Sequence, residues 1–97
     1  MYYVIYTEDI ENSLPLRKAS TTEHRQRLQT LRDEGRLLTA GPMPLIDADD
    51  VSEGVSGSCI IAEFDSLQDA QKWAEQDPFV KTGVYQKVTV NPYKLVY

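Results

Sequence analysis

SCIIAEFDSLQDAQKWAEQDP, residues 58–78, contains the change from a strand pattern to a helix pattern that decides the fold. Over Ser58–Phe64 alternate side chains form two faces, and both faces carry apolar residues for part of their length. The segment 66–69, SLQD, has the form of a capping box with Asp in the acidic place. After this cap, three apolar residues recur at helical spacing and predict a helix, namely Leu67, Ala70 and Ala74. The helix should end before Pro78, because the residue preceding a proline is disfavoured in the helical conformation.

The residues on the amino-terminal side predict a strand and a long helix. Tyr2–Thr7 is short and rich in aromatic and β-branched residues, which predicts a strand with an exit loop over 8–13. Leu16–Glu34 is rich in Arg, Lys, Gln, Glu and Leu, and Gly35 follows it as a natural C′ residue, so this segment predicts the first helix. Three residues are candidate N-caps of that helix, namely Ser20, Thr21 and Thr22.

Two further strands and an acidic loop complete the pattern. Residues 36–40 predict a short strand that ends before the Gly-Pro pair at 41–42. Residues 46–56 are acidic and rich in turn formers, which predicts an exposed loop. Residues 84–90 alternate between two faces and predict the last strand, closed by Pro92.

The element order is β-α-β-β-α-β, which predicts one α+β domain over residues 1–97 with a ferredoxin-like antiparallel sheet and both helices on one face. A sheet covered on one side only should carry polar residues on its other side. The apolar residues on both faces of Ser58–Phe64 therefore indicate that the second face is covered too. A second copy of the same sheet is the expected cover, and a chain this short gains stability from such burial, so we expect a homodimer.

The composition limits the partners of the chain. There are 15 acidic and 10 basic residues, for a formal net charge of -5. Nucleic acid and anionic membranes bind mainly through clustered cations, so neither is an expected partner. No apolar run approaches the roughly 18 residues of a membrane span, and the first residues lack the basic region of a signal peptide. With Cys59 expected to be an inert thiol in an apolar run, we expect a cytoplasmic protein.

Neither a metal site nor a cofactor is predicted. A single His and a single Cys have no ligand-spacing signature. The acidic loop lacks the spacing, the glycine and the closing Glu of an EF-hand. The sequence also has no nucleophile elbow, phosphate loop or dinucleotide fingerprint, which leaves acid–base chemistry as the simplest catalytic use of its side chains.

His24, the one histidine, lies on the apolar stripe of the first predicted helix. At about 100° per residue it falls about 40° from Leu28 and about 20° from Leu31, so its imidazole should point towards the sheet. One interpretation is a core histidine that donates a ring proton to a backbone carbonyl and has no further role; the other is a functional base. The spacing alone leaves both interpretations open.

Asp77 precedes Pro78 immediately after the second predicted helix. An aspartate in this position is often only a turn former that bonds local backbone amides. The functional alternative is that its carboxylate faces His24 and fixes the tautomer of the imidazole. A His-Asp pair is a better base than His alone, because the carboxylate stabilises the imidazolium that forms when a proton is taken.

Four further residues are candidates for substrate binding. Gly41 has no Cβ and would let a ligand approach closely, although strand termination is the alternative role for Gly41 and Pro42. Ser58 is a candidate hydroxyl donor or simply the first residue of a strand. Phe79 is a candidate cavity wall or core residue, and the same alternatives hold for Thr39 and Tyr85.

The ordered pattern resembles the YciI family over essentially the whole chain. The segments that carry the resemblance are His24, RLLTAGP (36–42), Gly-Ser (57–58), WAEQDPF (73–79) and GVY (83–85). The resemblance implies a ferredoxin-like fold of the dimeric α+β barrel type and a small pocket centred on a histidine and an aspartate. By position these two residues are His24 and Asp77. The family is similar to muconolactone-isomerase-like proteins and includes a dechlorinating enzyme of chloroaromatic breakdown.

Two functions from different classes follow. The first is a small, cofactor-independent enzyme in which His24, oriented by Asp77, moves a proton on a small organic substrate, in an isomerisation, an elimination or a hydrolysis. The second is a non-catalytic dimeric module that holds a small metabolite in the same pocket. A third function, binding of another protein through the sheet face, is less favoured because self-association already explains the apolar residues there.

Overall fold

The computed structural model describes residues 1–97 and places each strand and helix pattern in the expected order, with one additional short helix. The elements are β1 (Tyr2–Asp9), α1 (Leu14–Asp33), β2 (Leu37–Pro44), β3 (Val55–Glu63), α2 (Leu67–Glu75), α3 (Pro78–Lys81) and β4 (Tyr85–Tyr93).

The four strands form one sheet in the order β2-β3-β1-β4, and each neighbouring pair is antiparallel. In the central pair Ile5 of β1 lies opposite Ile60 of β3, and on its other side Ile5 lies opposite Val90 of β4. This is the split βαβ arrangement, so the α+β, ferredoxin-like prediction is confirmed. None of the helices is long and apolar enough to cross a membrane.

The core lies between one face of the sheet and the helices. Alternation along β1 and β3 sends every second side chain to this face, where it packs against residues of α1 and α2. The buried core cluster consists of Tyr3, Ile5, Leu31, Ile60, Ala62, Phe64, Ala70 and Ala74. The opposite face carries Val4, Cys59 and Ile61, which are half-buried, and Tyr6, which is exposed. The predicted division of β3 into two faces is therefore correct.

The predicted start of α1 is wrong. The helix begins at Leu14, so Ser20, Thr21 and Thr22 lie inside it rather than before it. Ser13 is the N-cap by position, but its hydroxyl donates to the Asp9 carboxylate and makes no cap hydrogen bond. The favourable cap residues within the helix hid this start. The expected C′ residue, Gly35, does adopt the left-handed conformation, with φ of 72°.

Both edge strands extend beyond their predicted ends. β2 continues through Gly41 and Pro42 to Pro44, and β4 continues through Pro92, so the prediction that these prolines close the strands is wrong. An edge strand tolerates proline because the missing N–H faces away from the ladder. The predicted loops at 8–13 and 46–56 are correspondingly shorter, since β1 runs on through 9 and β3 begins at 55.

The helix α2 follows the sequence prediction closely, and α3 was not predicted. Ser66 accepts a hydrogen bond from the backbone N–H of Asp69, which confirms the cap, and α2 ends before Pro78. Pro78 instead begins α3, where a missing N–H is tolerated in the first turn. Asp77 is the N-cap of this short helix and accepts from the backbone N–H of Phe79 at 2.9 Å.

Candidate active site

The side chains of His24 and Asp77 meet between α1 and the start of α3. The imidazole Nδ1 lies 3.0 Å from Asp77 Oδ1 and 2.9 Å from Oδ2. The two residues are 8% and 2% exposed, so the contact is shielded from bulk water. Since an ionised carboxylate only accepts, the hydrogen must be on Nδ1, and the neutral ring then has its lone pair on Nε2.

Asp77 makes both of the contacts considered for it. One carboxylate oxygen caps α3 and both oxygens contact the imidazole. The guanidinium of Arg27 adds a cation, with Nη1 3.5 Å from Asp77 Oδ2. The structure thus places two hydrogen-bond donors and one cation around this carboxylate.

Arg27 is held against Trp73 on the other side. Its Nη2 donates to the Trp73 carbonyl, and its Cζ lies 4.1 Å from the centre of the indole ring. Burial lowers the pKa of Arg27, an effect that the nearby Asp77 opposes. Arg27 Nη1 is buried and makes no hydrogen bond of its own, so its contact with Asp77 is a charge contact only.

The imidazole of His24 is held flat against Phe79. The ring centres lie 4.2 Å apart with 18° between the planes. Nε2 makes no hydrogen bond within the chain. It is not fully buried, because the one fully buried side-chain nitrogen or oxygen without a hydrogen-bond partner is Arg27 Nη1. His24 also lines a cleft, so Nε2 is the ring nitrogen that a ligand can reach.

That cleft, with a volume of about 370 Å³, lies between α1, β2, the start of β3 and α3. Of the candidate residues, His24, Gly41, Pro42, Ser58 and Phe79 line it, whereas Asp77 lies behind the imidazole. A larger, shallower groove of about 640 Å³ beside Trp73 contains no part of the His-Asp pair. The smaller cleft is therefore the candidate active site, because it is the one into which the titratable pair opens.

Of Gly41 and Gly57, only Gly57 is required by close packing of the backbone. A Cβ built on Gly41 would meet no atom within 4 Å, so close packing does not explain a glycine there. A Cβ on Gly57 would lie 1.8 Å from the backbone oxygen of Thr7. This close approach of β3 to β1 brings the Ser58 side chain against Thr7.

Ser58 is part of a buried chain of three hydroxyl groups that the sequence reasoning did not predict. Its Oγ lies 2.8 Å from Thr7 Oγ1 and 3.0 Å from the phenol oxygen of Tyr85, and its backbone N–H donates to Thr7 Oγ1. Burial raises the pKa of Tyr85 to about 12. Tyr85 therefore stays protonated and available as a donor at neutral pH. Neither Thr39 nor Tyr85, the other two suggested cavity residues, lines the cleft itself.

A buried ion pair, also not predicted, borders the cleft. Arg17 Nε donates to Asp9 Oδ2 at 2.6 Å, and Nη2 donates to Oδ1 at 2.9 Å. The guanidinium lies over the ring of Phe79, 4.9 Å from its centre. Arg17 precedes His24 by seven residues, which places both on one face of α1, so this spacing was the available signal.

In the chain as a whole, no three His, Cys, Asp or Glu side chains lie close enough together to hold a metal ion. The acidic residues between β2 and β3 are exposed, and Asp50 is engaged by the backbone N–H and hydroxyl of Ser52. These hydrogen bonds hold the pKa of Asp50 below its usual value.

Comparison with known sequences gives matches over the full length. The family described as the YCII-related domain matches residues 1–94. Protein YciI of Escherichia coli O6:H1 (strain CFT073) is 53% identical over 98 residues, covering all of both chains. An uncharacterized protein of Haemophilus influenzae is 52% identical over 98 residues, again covering all of both chains.

Solved structures that resemble this chain include the following two proteins. The 5-chloro-2-hydroxyhydroquinone dehydrochlorinase TftG of Burkholderia phenoliruptrix, in complex with 2,5-dihydroxybenzoquinone, superposes with a TM-score of 0.85 and 26% identity, covering 97% of this chain and 94% of that chain. PA3566 of Pseudomonas aeruginosa superposes with a TM-score of 0.51 and 14% identity, covering 98% and 93%, which is a likeness of fold alone.

Proposed function

This chain belongs to the YCII-related family, and from that premise we propose that it is a small enzyme in which His24 transfers a proton on a small organic substrate. One observation carries the proposal. The single imidazole has Nδ1 engaged by a buried carboxylate and Nε2 open to a cleft. A histidine that served only the core would have no such opening.

The proposed mechanism uses the pair as a general base and then as a general acid. Asp77 accepts the Nδ1 hydrogen and so keeps the lone pair on Nε2, which removes a proton from the substrate. The resulting imidazolium lies against the Asp77 carboxylate, which stabilises its charge. His24 then returns the proton to another substrate atom, which completes an isomerisation, or to water after a leaving group has departed.

The structural neighbour supports the elimination form of this chemistry. TftG is a dehydrochlorinase of a chlorinated hydroquinone. In the keto tautomer of such a ring, loss of hydrogen chloride breaks an O–H and a C–Cl bond, while a C=O bond forms and the adjacent C=C bond shifts. The base takes the proton and chloride carries away the electron pair. A cleft of about 370 Å³ lies at the lower end of the range for small-molecule sites, which suits a compact substrate.

The test is turnover by His24→Gln and Asp77→Asn on a panel of chlorinated hydroquinones, enol-lactones and simple esters. We expect turnover to fall by about 10²- to 10⁴-fold in His24→Gln, the usual contribution of a general base, while circular dichroism stays unchanged. Gln26→Ala, an exposed change two residues further along α1, is the matched control. Full turnover in both site variants would refute the proposal. A wild-type protein that binds panel compounds without converting them would favour the binding module instead.

We also propose that two copies associate through the sheet face that no helix covers. Val4, Cys59 and Ile61 lie on that face and are half-buried in one chain, and Tyr6 is exposed there. Burial of such a patch between two copies would remove apolar area from water. Light scattering after size exclusion should give twice the 11.0 kDa chain mass, and a stable monomer would contradict the proposal.

A further inference from the structure

The wall of the cleft is cationic although the chain as a whole is acidic. Three cationic residues, Arg17, Lys18 and Arg25, line the cleft beside His24, and no Asp or Glu does. The whole chain has a formal charge of -5. Charge of one sign concentrated in a cleft attracts ligands of the opposite sign.

Lys18 and Arg25 supply the net positive charge of this wall. Both are exposed, both belong to α1, and neither takes part in an ion pair. A spacing of seven residues places them on one face, two turns apart. The acidic segment between β2 and β3 contributes only Val51 to the cleft, so its carboxylates do not line the wall.

Arg17 supplies a directed donor rather than net charge. Asp9 offsets its charge and engages Nε and Nη2. Nη1 makes no hydrogen bond within the chain and is not fully buried, so it remains available to a ligand in the cleft. The guanidinium is fixed by Asp9 and Phe79, and it therefore loses little freedom when it binds.

Ser58 supplies a second directed donor. Ser58 Oγ lies 2.8 Å from Thr7 Oγ1 and 3.0 Å from the phenol oxygen of Tyr85, and either oxygen of each pair can be the donor. A hydroxyl hydrogen rotates to suit its partners. When a charged oxygen enters the cleft, Thr7 and Tyr85 can both donate to Ser58 Oγ, and the Ser58 hydroxyl hydrogen then turns to the ligand. Ser58 is 3% exposed, so water competes little for that hydrogen.

We propose that this site takes a small organic anion, such as a carboxylate, an enolate or a ring oxyanion, whose charged oxygen binds Ser58 Oγ–H and Arg17 Nη1 beside His24. Lys18 and Arg25 attract the anion to the mouth of the cleft. The catalytic meaning of this assignment rests on the proposed function. When His24 removes a proton, negative charge grows on the substrate, and the same donors stabilise that charge.

The experiment compares matched anionic and neutral ligands by NMR titration. The first pair is 2,5-dihydroxybenzoquinone, whose hydroxyls ionise as vinylogous acids, and its neutral dimethyl ether. The second pair is benzoate and benzamide. The proteins are wild type, Lys18→Gln, Arg25→Gln and the double variant, with Arg32→Gln as an exposed control on the same helix that does not line the cleft. Binding is followed through backbone amides of β2 and β3.

We expect the anion of each pair to bind more tightly than its neutral partner. Each single variant should weaken anion binding by about two- to five-fold, the range for an exposed charge, and the double variant by about ten-fold. Added salt should reduce these differences. Arg32→Gln should bind as wild type does, and the neutral ligands should be insensitive to every variant.

Three results would overturn the assignment: equal binding of anion and neutral ligand, equal effects of Arg32→Gln and the cleft variants, or no amide shifts at the cleft with any of the anions at millimolar concentration. Because the readout is binding, it is independent of turnover. Anion preference retained alongside full turnover by His24→Gln would refute the acid–base proposal and leave the assignment standing.

Discussion

The two ends of the helical layer cover the same face of the sheet with opposite chemistry. Where α2 packs on β1 and β4, the buried residues are apolar, among them Tyr3, Phe64, Ala70 and Ala74. Where α1 meets α3, the buried residues include two carboxylates, a guanidinium and an imidazole, namely Asp9, Asp77, Arg17 and His24.

The difference indicates that the apolar end, where α2 packs on the sheet, serves the stability of the fold. Apolar burial contributes roughly 25 cal/mol per Å² without any desolvation of charge. A buried ion pair loses hydration that its attraction only partly offsets, and apolar side chains of similar volume are often at least as stabilising. The α1–α3 end thus carries groups that stability alone does not call for, and two of them, Arg17 and His24, line the cleft.

The largest expected effect comes from breaking the ion pair at the polar end. Asp9→Asn leaves the buried Arg17 charge without its partner, and we expect the free energy of unfolding to fall by about 3 to 5 kcal/mol in urea denaturation. Asp47→Asn, an exposed change, should cost less than about 0.5 kcal/mol.

The double variant Asp9→Leu/Arg17→Met tests whether that pair is needed for stability. We expect stability near that of the wild type, because both charges are gone together. Anion binding should nevertheless be lost, because Arg17 no longer offers Nη1 to the ligand. A double variant as unstable as Asp9→Asn would show that the polar end is a structural core like the other end.

The next effect comes from the apolar end. Leu31 is 2% exposed and does not line the cleft, so Leu31→Ala should lower the free energy of unfolding by about 2 to 5 kcal/mol. Turnover per folded molecule should stay unchanged. Leu16→Ala, at an exposed position of the same helix, should cost far less. A large loss of turnover in folded Leu31→Ala would mean that the two ends are not separable.

A smaller effect concerns Tyr85 and alkaline pH. Its pKa of about 12 in the folded protein lies above the usual 10, so between these values the folded state holds a proton that the unfolded state has lost. Stability should therefore fall as pH rises from about 10 to 12, by at most about 3 kcal/mol. Tyr85→Phe should remove this part of the slope, measured as the difference in urea midpoints. Parallel curves for the two proteins would contradict the burial of the phenol.

The fold was predictable from the sequence where periodicity is strong. The change of period after Phe64 gave β3 and α2, and the stripe through Leu28 and Leu31 placed His24 on the inner face of α1. The ends of β2 were not predictable, because a strand containing Gly41 and Pro42 is stable only at a sheet edge, and edge position depends on the tertiary arrangement.

Of the site, His24 and Asp77 were predictable from the sequence, whereas the residues around them were not. Placing the start of α1 at 16, with caps at 20–22, left Arg17 outside the reliable part of the helix. Pro15 in the first turn was the signal for the earlier start, and it would have placed Arg17 on the face of His24. The hydroxyl chain through Ser58 depends on the close approach at Gly57, which a local pattern does not contain.

The central claim is that Asp77 holds the imidazole so that a basic Nε2 faces the cleft. Because His24 is the one histidine, its side-chain nitrogens give a single pattern in a long-range ¹H–¹⁵N correlation spectrum, with no assignment needed. At a pH where the ring is neutral, we predict hydrogen on Nδ1 and a bare Nε2 in the wild type, and a loss of this preference in Asp77→Asn. A wild-type ring with its hydrogen on Nε2, or a pattern unchanged by Asp77→Asn, would contradict the account.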